Sequence, residues 1–442
     1  MAKHVIFLGA GASWTSGYPL AADLRFILSS PERFREYLND KIDKIGKIGT
    51  PKQFELKAEL QKAYDSYKDA VELFREGGFA TVDEFSYLAR ERHEVFVQTL
   101  KRFTSFIFAI HNPEHWYVKP GAQTKETTTA FLNSDYFPFI QKLFDETLHE
   151  FRDDVAVLTY NYDPYLDFLL SRAYRVRKKA AGEDFDKAPT SILSGLGNLD
   201  DKNLLKEKGF CFLKLHGTSV LPGFDSHHGR ITNHDPLTFY EVFEQNEFLA
   251  EKLSAQALSG SINRPPIFFP WELIKDDGRF VSKDKFRAAE GSLAQTDLRL
   301  SENGSYYEIF KAIWQRAQKE IIDAEKISFV GLSMHQFLKT GLKFLFQERI
   351  KSRTATNSNY TESKLEIVLA CPGAMHSGAD FRKPPAPNSA AAKLISTLME
   401  VNPLILTYSN GCLQTPIPPV AKSGSGGIVC YEDFSSFIKA EL

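Results

Sequence analysis

The run His4-Val5-Ile6-Phe7-Leu8 passes directly into Gly9-Ala10-Gly11-Ala12-Ser13, and Ser16-Gly17-Tyr18-Pro19 follows closely. A short, largely apolar run bounded by glycine reads as a buried strand. Two glycines let the backbone turn tightly and approach a ligand with no Cβ between. The small residues after them predict a helix whose first N–H groups favour a diphosphate. The turn lacks full Gly-x-Gly-x-x-Gly spacing, and no Gly-Lys-Ser/Thr follows, so it is not a P-loop. Alone, it favours a nucleotide, with a strand-to-helix turn that holds no ligand as the alternative.

Further strands share this form. Residues 155–158 are apolar and end in Thr159-Tyr160-Asn161-Tyr162-Asp163. Residues 212–215 end in His216-Gly217, and 327–330 end in Gly331-Leu332-Ser333. Residues 365–369 and 404–406 read as two more strands. Residues 266–269, with prolines around them, read as an edge strand or a short bridge. Helical patterns at 306–322 and 337–350 interleave with these strands. The alternation predicts an α/β fold with a Rossmann-like, doubly wound parallel sheet.

Residues 30–150 read instead as a large helical insertion. Helices are expected over 52–74, over 82–110 with Thr81 or Asp83 as cap, and over 127–151. We expect one domain over 1–442. It would comprise this insertion, the rest of the core over 151–350, and strands and helices over 351–442 that complete or flank the core. Loops are expected over 373–388 and 415–427, with a short helix over 433–442.

Composition narrows the class. The chain has 442 residues, is 43% hydrophobic and 25% charged, and so is of ordinary soluble type. A formal charge of -2 gives no general pull toward nucleic acid. Cys211, Cys371, Cys412 and Cys430 lie far apart, which argues against a four-cysteine zinc site and against a disulfide framework. With no signal-peptide pattern and no apolar run of spanning length, a cytoplasmic protein is expected. Asp225, His227, His228, His234 and Asp235 sit among turn formers and read as a solvated loop rather than a metal site. Trp271 reads as a packing residue. The charged helices over 41–102 read as solvated faces, with a partner-docking surface as the sharper alternative.

The chemistry-bearing residues stand at strand ends. A side-chain amide such as Asn161 can orient water or a ribose hydroxyl, and it can equally shape a turn. Asp163 is placed to cap a helix starting at Pro164. His216 is of the residue type best suited to take a proton at neutral pH. Gly331 permits close approach, and Ser333 offers a hydroxyl.

In order, Gly-Ala-Gly-x-Ser with Gly-x-Pro, Thr-x-Asn-x-Asp, Leu-His-Gly and Val-Gly-x-Ser resemble the sirtuin family. They are most similar to its divergent members in bacterial anti-phage defence. The anchors are scattered from Val5 to Ser333, and the insertion and the last hundred or so residues are not covered. The resemblance implies NAD as ligand and substrate. Gly9, Ala10, Gly11, Ala12, Ser13 and Gly17 would surround the diphosphate. Gly331 and Ser333 would lie near the adenosine half, and Thr159 would line the same site. Asn161 would sit by the nicotinamide ribose, His216 would serve as general base, and Asp163 would order the nicotinamide side.

Two departures matter. Leu20-Ala21-Ala22 follow Pro19 where deacylating sirtuins have an acidic residue and Phe-Arg. No cysteine pairs follow His216, so the zinc module is missing. Water, rather than an acyl-lysine, is then the expected acceptor. The resemblance thus implies an NAD glycohydrolase that yields nicotinamide and ADP-ribose and depletes NAD in anti-phage defence. It would need no metal, form homo-oligomers, and answer to a partner such as a ring ATPase, a helicase or a short Argonaute. Neither nucleic-acid nor membrane contact is expected. The alternatives are an NAD- or ADP-ribose-binding regulatory module of a partner nuclease or helicase, and an NAD-dependent protein deacylase.

Overall fold

A computed structural model describes residues 3–16, 18–28, 30, 32–37, 68, 72–78, 81–89, 101, 104, 107–108, 134–145, 150–163, 165–166, 169–170, 173, 193–194, 210–217, 224–225, 230–231, 267–275, 277–282, 306–332, 336–356, 365–370, 390–401, 427–431 and 434–442. In chain order the elements begin with β1 (His4–Leu8), α1 (Ala10–Ser13), a 3-10 turn (Trp14–Ser16) and α2 (Ala21–Ile27). Next come α3 (Val82–Ala89), α4 (Tyr136–Lys142), β2 (Val155–Thr159), β3 (Leu193–Ser194) and β4 (Cys211–Lys214). The small hairpin β5 (Phe224–Asp225) and β6 (Arg230–Ile231) follows, then α5 (Pro270–Leu273) and α6 (Tyr306–Asp323). Last are β7 (Lys326–Val330), α7 (Gln336–Thr356), β8 (Glu366–Ala370), α8 (Ala390–Val401), β9 (Gly427–Tyr431) and α9 (Phe434–Glu441).

Seven strands form one all-parallel sheet in the order β3-β4-β2-β1-β7-β8-β9. Its central five strands have the Rossmann-like order 3-2-1-4-5. The chain adds strands on one side of β1, then returns to the other side with β7. The switch between β1 and β7 is where such sheets open a crevice beyond the carboxyl strand ends.

Strand residues alternate between two apolar layers, as a sheet covered on both faces requires. Ile6, Leu8, Val155, Val157, Phe212 and Val368 pack with Phe85, Phe139, Ile140 and Phe437. Val5, Phe7, Ala156, Leu158, Leu213, Phe329 and Leu369 pack with Ile313, Trp314, Leu342, Leu345 and Leu394. The first layer is thus covered partly by the segment between β1 and β2, and the second by α6, α7 and α8. Arg349 of α7 binds the open end of α6: its Nη1 donates to the carbonyls of Ile321, Ile322 and Ala324 at 2.7, 3.1 and 2.8 Å.

Three expectations change. The helix expected over 127–151 ends at Lys142, where the chain reverses. Phe144 and Phe151 form an antiparallel bridge, closed by Asp145 N–H to the Glu150 carbonyl and Arg152 N–H to the Leu143 carbonyl. The first helix is broken into α1, the 3-10 turn and α2. Part of the region after 351 adds an unexpected strand, β9, built on the short apolar run Ile428-Val429-Cys430-Tyr431 directly after a Ser/Gly-rich stretch. Residues 266–269 supply a single bridge, Ile267 to Gly217. The strand expected over 404–406 and the histidines of the 225–235 cluster lie outside the described residues. No helix among the described residues is long and apolar enough to cross a membrane.

Candidate functional site

Sheet register brings the strand-end residues together. Leu8 pairs with Thr159, and Thr159 pairs with Lys214. Asn161 and His216 therefore each stand two residues past a paired position, on neighbouring strands about 4.8 Å apart. Ser13 follows β1 by one helical turn. Groups from three strands thus converge at one carboxyl edge.

A closed polar network joins them. Ser13 Oγ donates to Asp163 Oδ2 at 2.8 Å and lies 2.7 Å from the Tyr136 hydroxyl. Asn161 Nδ2 donates to Ser13 Oγ at 2.8 Å and reaches the Tyr136 hydroxyl at 3.5 Å. Thr159 Oγ1 accepts the Asn161 backbone N–H at 3.0 Å and donates to the Leu8 carbonyl at 3.3 Å. Asp163 Oδ1 accepts the Tyr165 N–H at 3.2 Å, so the carboxylate caps the following helix and serves the network at once. Lys214 Nζ donates to the Asp163 carbonyl at 2.5 Å. Ser13, Thr159, Asn161, Asp163, Lys214 and His216 are all buried. Buried polar groups are costly unless bonded; Ser13, Thr159, Asn161, Asp163 and Lys214 bond within this network, and His216 stands outside it.

His216 is held differently. Its carbonyl accepts the Phe268 N–H at 2.9 Å, beside the Gly217–Ile267 bridge. Gly217 takes φ of +77°, which turns the chain away sharply after the histidine. Aromatic rings surround the imidazole. Tyr162 lies nearly parallel to it at 5.6 Å between centroids, and Tyr160 meets it edge-on at 4.8 Å. The Tyr162 hydroxyl donates to Asp83 Oδ1 at 3.1 Å. Burial, then Asp83 and Glu272, push the Tyr162 phenol well above its ordinary range, so it remains a neutral donor. Burial likewise pushes up the Tyr160 phenol and the Cys211 thiol, which removes Cys211 as a nucleophile near neutral pH.

The glycines meet one another. Gly331 has φ of +60°, and a Cβ there would fall 2.3 Å from the Ala12 nitrogen. A Cβ on Gly11 would fall 2.8 Å from the Gly331 Cα. Close approach is therefore realised between two turns across the β1–β7 switch. The N–H groups of Gly9, Gly11 and Ala12 donate to the carbonyls of Val330, Gly331 and Gly9, each at 2.9 Å. Ala10 opens α1 half-buried. Gly17 and Ser333 lie outside the described residues.

Four further residues join the site that strand-end reading missed: Tyr136, Tyr162, Asp83 and Lys214. A lysine inside the apolar run Cys211-Phe212-Leu213-Lys214-Leu215 was a usable signal, because an unpaired charge is rarely buried. Tyr162 sits inside the Thr-x-Asn-x-Asp pattern but reads there as filler. Nothing local distinguishes Tyr136, and Asp83 reads only as a candidate helix cap, a role that Thr81 fills by accepting the Glu84 N–H at 3.1 Å. Trp271 packs against Phe269, and its Nε1 donates to Ser86 Oγ at 3.2 Å. Among the described residues, no group of three or more His, Cys, Asp or Glu could hold a metal ion. No protein-family model matches the chain, and no curated protein matches it.

Proposed function

We propose that the chain hydrolyses NAD at the bond between nicotinamide and ribose, at the carboxyl edge of β1, β2 and β4. The observation that carries this reading is the convergence of Ser13, Asn161, Asp163 and His216 from three strands onto that edge. A hydroxyl, an amide, a carboxylate and an imidazole suit a sugar with its hydroxyls better than they suit an apolar ligand. When the bond breaks, nicotinamide takes the electron pair and leaves as a neutral base. The sugar becomes oxocarbenium-like, water adds to its C1 carbon, and a proton must depart. The protein's task is to position and to shield developing charge, since the leaving group needs no strong acid. Asn161 orients water or a ribose hydroxyl, and His216 takes the proton. Asp163 fixes both the Ser13 hydroxyl and the helix after β2. Three amides of the first turn are already bonded to carbonyls, so a diphosphate there has fewer partners than the motif alone implies.

On the resemblance alone, the cellular role is NAD depletion in bacterial anti-phage defence, with self-assembly or a separate partner protein as control. A second reading is favoured by one observation. Asn161 Nδ2 is engaged within the protein, as a binding site without turnover would allow. It makes the chain an NAD- or ADP-ribose-binding module that regulates a partner.

The test is to incubate the purified full chain with NAD, alone and with its genomic neighbour, and to quantify nicotinamide and ADP-ribose. Asn161→Ala and His216→Ala are each expected to lower kcat/KM by about 100- to 10,000-fold with folding intact by circular dichroism. Binding without turnover under every condition would transfer support to the regulatory module. Product formed only with an acyl-peptide would favour a deacylase.

A further inference from the structure

Tyr136 belongs to α4, far in sequence from the strand ends, yet its hydroxyl reaches the carboxyl edge of the sheet. The proton directions around it follow from the chemistry of the partners. An ionised carboxylate only accepts, so Ser13 gives its single hydroxyl proton to Asp163 Oδ2. The 2.7 Å contact between Tyr136 and Ser13 then requires the tyrosine proton, so Tyr136 donates. Asn161 Nδ2 donates to the same Ser13 oxygen. That oxygen accepts twice and donates once, which exhausts its capacity. A reversed Asn161 amide would turn its oxygen toward Ser13, where no proton remains to meet it. The network therefore dictates the amide's sense: Nδ2 toward Ser13, Oδ1 away from it.

We propose that Tyr136 is a positioning residue for the NAD site. Its donation to Ser13 keeps the serine proton on Asp163 and so holds Asn161 with Oδ1 presented as an acceptor. This rests on the reading of the function given above. An acceptor at that place selects a donor in the ligand, a ribose hydroxyl or the attacking water. It disfavours a ligand that offers only an acceptor there. The segment between β1 and β2 thereby contributes directly to the site.

Tyr136→Phe tests this, because the ring and its packing against Phe139 and Tyr165 are retained. NAD turnover is measured for the wild type, Tyr136→Phe, Ser13→Ala and the double variant. We expect Tyr136→Phe to lower kcat by up to about 100-fold, the scale of a small misplacement of a reacting group, while KM moves by less than about threefold. In the Ser13→Ala background the tyrosine change should add little, because Tyr136 acts through Ser13. Unchanged kcat in Tyr136→Phe, or losses that add in full, overturns the proposal.

A second arm needs no turnover. Solvent exchange of the Asn161 side-chain amide protons is followed by ¹⁵N NMR in the NAD-free protein. Exchange should quicken about tenfold in Tyr136→Phe, as expected for one weakened buried hydrogen bond. If the wild type does not cleave NAD, the functional reading fails, and this arm still decides the positioning role. Equal exchange in the two proteins overturns it.

Discussion

His4 lies within β1, buried, with Nε2 2.7 Å from the hydroxyl of Ser328 on the neighbouring strand. Burial lowers its pKa from 6.5 to about 3, helped by Lys326 and Arg152 and opposed by Asp154. The native protein therefore keeps this imidazole neutral, whereas the unfolded chain protonates it near pH 6.5. Stability from this group is complete above pH 6.5 and drains away as pH falls from there toward 3. Over that window its share is lost at about 1.4 kcal/mol per pH unit. Replacing His4 with Gln retains a side chain able to bond Ser328 but removes the titration. Urea unfolding at pH 7 and pH 5 should show a smaller loss for His4→Gln than for the wild type. Parallel losses in the two proteins would show that His4 does not drive acid sensitivity. At the same scale, Gly331 shows close approach realised between backbones. Its strand-end position suggested approach to a ligand, and the backbone it approaches is that of Gly11 and Ala12.

Among elements, the contact between Lys101 and α5 carries the most consequence. Lys101 Nζ donates to both carboxylate oxygens of Glu272, at 2.5 and 2.7 Å, and both side chains are buried. Glu272 also accepts the Phe269 N–H at 2.7 Å, one residue from the Phe268 N–H that holds the His216 carbonyl. Removing only the lysine leaves a buried carboxylate uncompensated. Lys101→Met should therefore cost about 3–5 kcal/mol in urea unfolding. Adding Glu272→Gln removes the stranded charge and keeps an acceptor for Phe269, so the double variant should regain most of that loss. Equal destabilisation of the two would mean that the charge is not the cause. Pairings of this kind explain what was legible in the chain and what was not. Continuous apolar runs mark β1, β2, β4, β7 and β8, because strands buried on both faces need such runs. Strand β9 follows a Ser/Gly-rich stretch that masks it. The reversal after α4 was misread because Phe144 and Phe151 are seven residues apart, which is two turns of a helix. They instead stack ring on ring at 4.3 Å across the reversal. That Asn161, Asp163 and His216 stand at one sheet edge was legible because each follows the end of an apolar strand. Tyr136 and Asp83 were not, since only tertiary contact brings them there.

For the whole molecule, the question is whether the segment between β1 and β2 is an appendage or part of the body. Its described residues Phe74, Phe85, Phe108, Tyr136, Phe139 and Ile140 share one apolar cluster with Ile6, Leu8, Val155 and Val157 of the sheet. It also sends Tyr136 and Asp83 to the candidate site, and Ser134 Oγ lies 2.7 Å from Ser16 Oγ beside the first turn. An appendage could melt by itself and leave the sheet intact. A segment that forms one layer over the central strands cannot, because its departure exposes their apolar face to water. Phe139 is fully buried in this layer, on the opposite side of the sheet from Trp314. Phe139→Ala should destabilise the chain by about 3–5 kcal/mol. If unfolding is shared, the slowest amides of β8, remote from the substitution in sequence, should exchange at least about 100-fold faster, since each 1.4 kcal/mol is a factor of ten. Hydrogen exchange followed by mass spectrometry reads this directly. Faster exchange confined to α3 and α4, with β8 unchanged, would make the segment a separately melting unit. That result would also separate the groups it sends to the site from the stability of the sheet. Coupled exchange would mean that assembling the site and folding the sheet are one event, so any control acting through this segment must work by small displacements of Tyr136 and Asp83 rather than by undocking it.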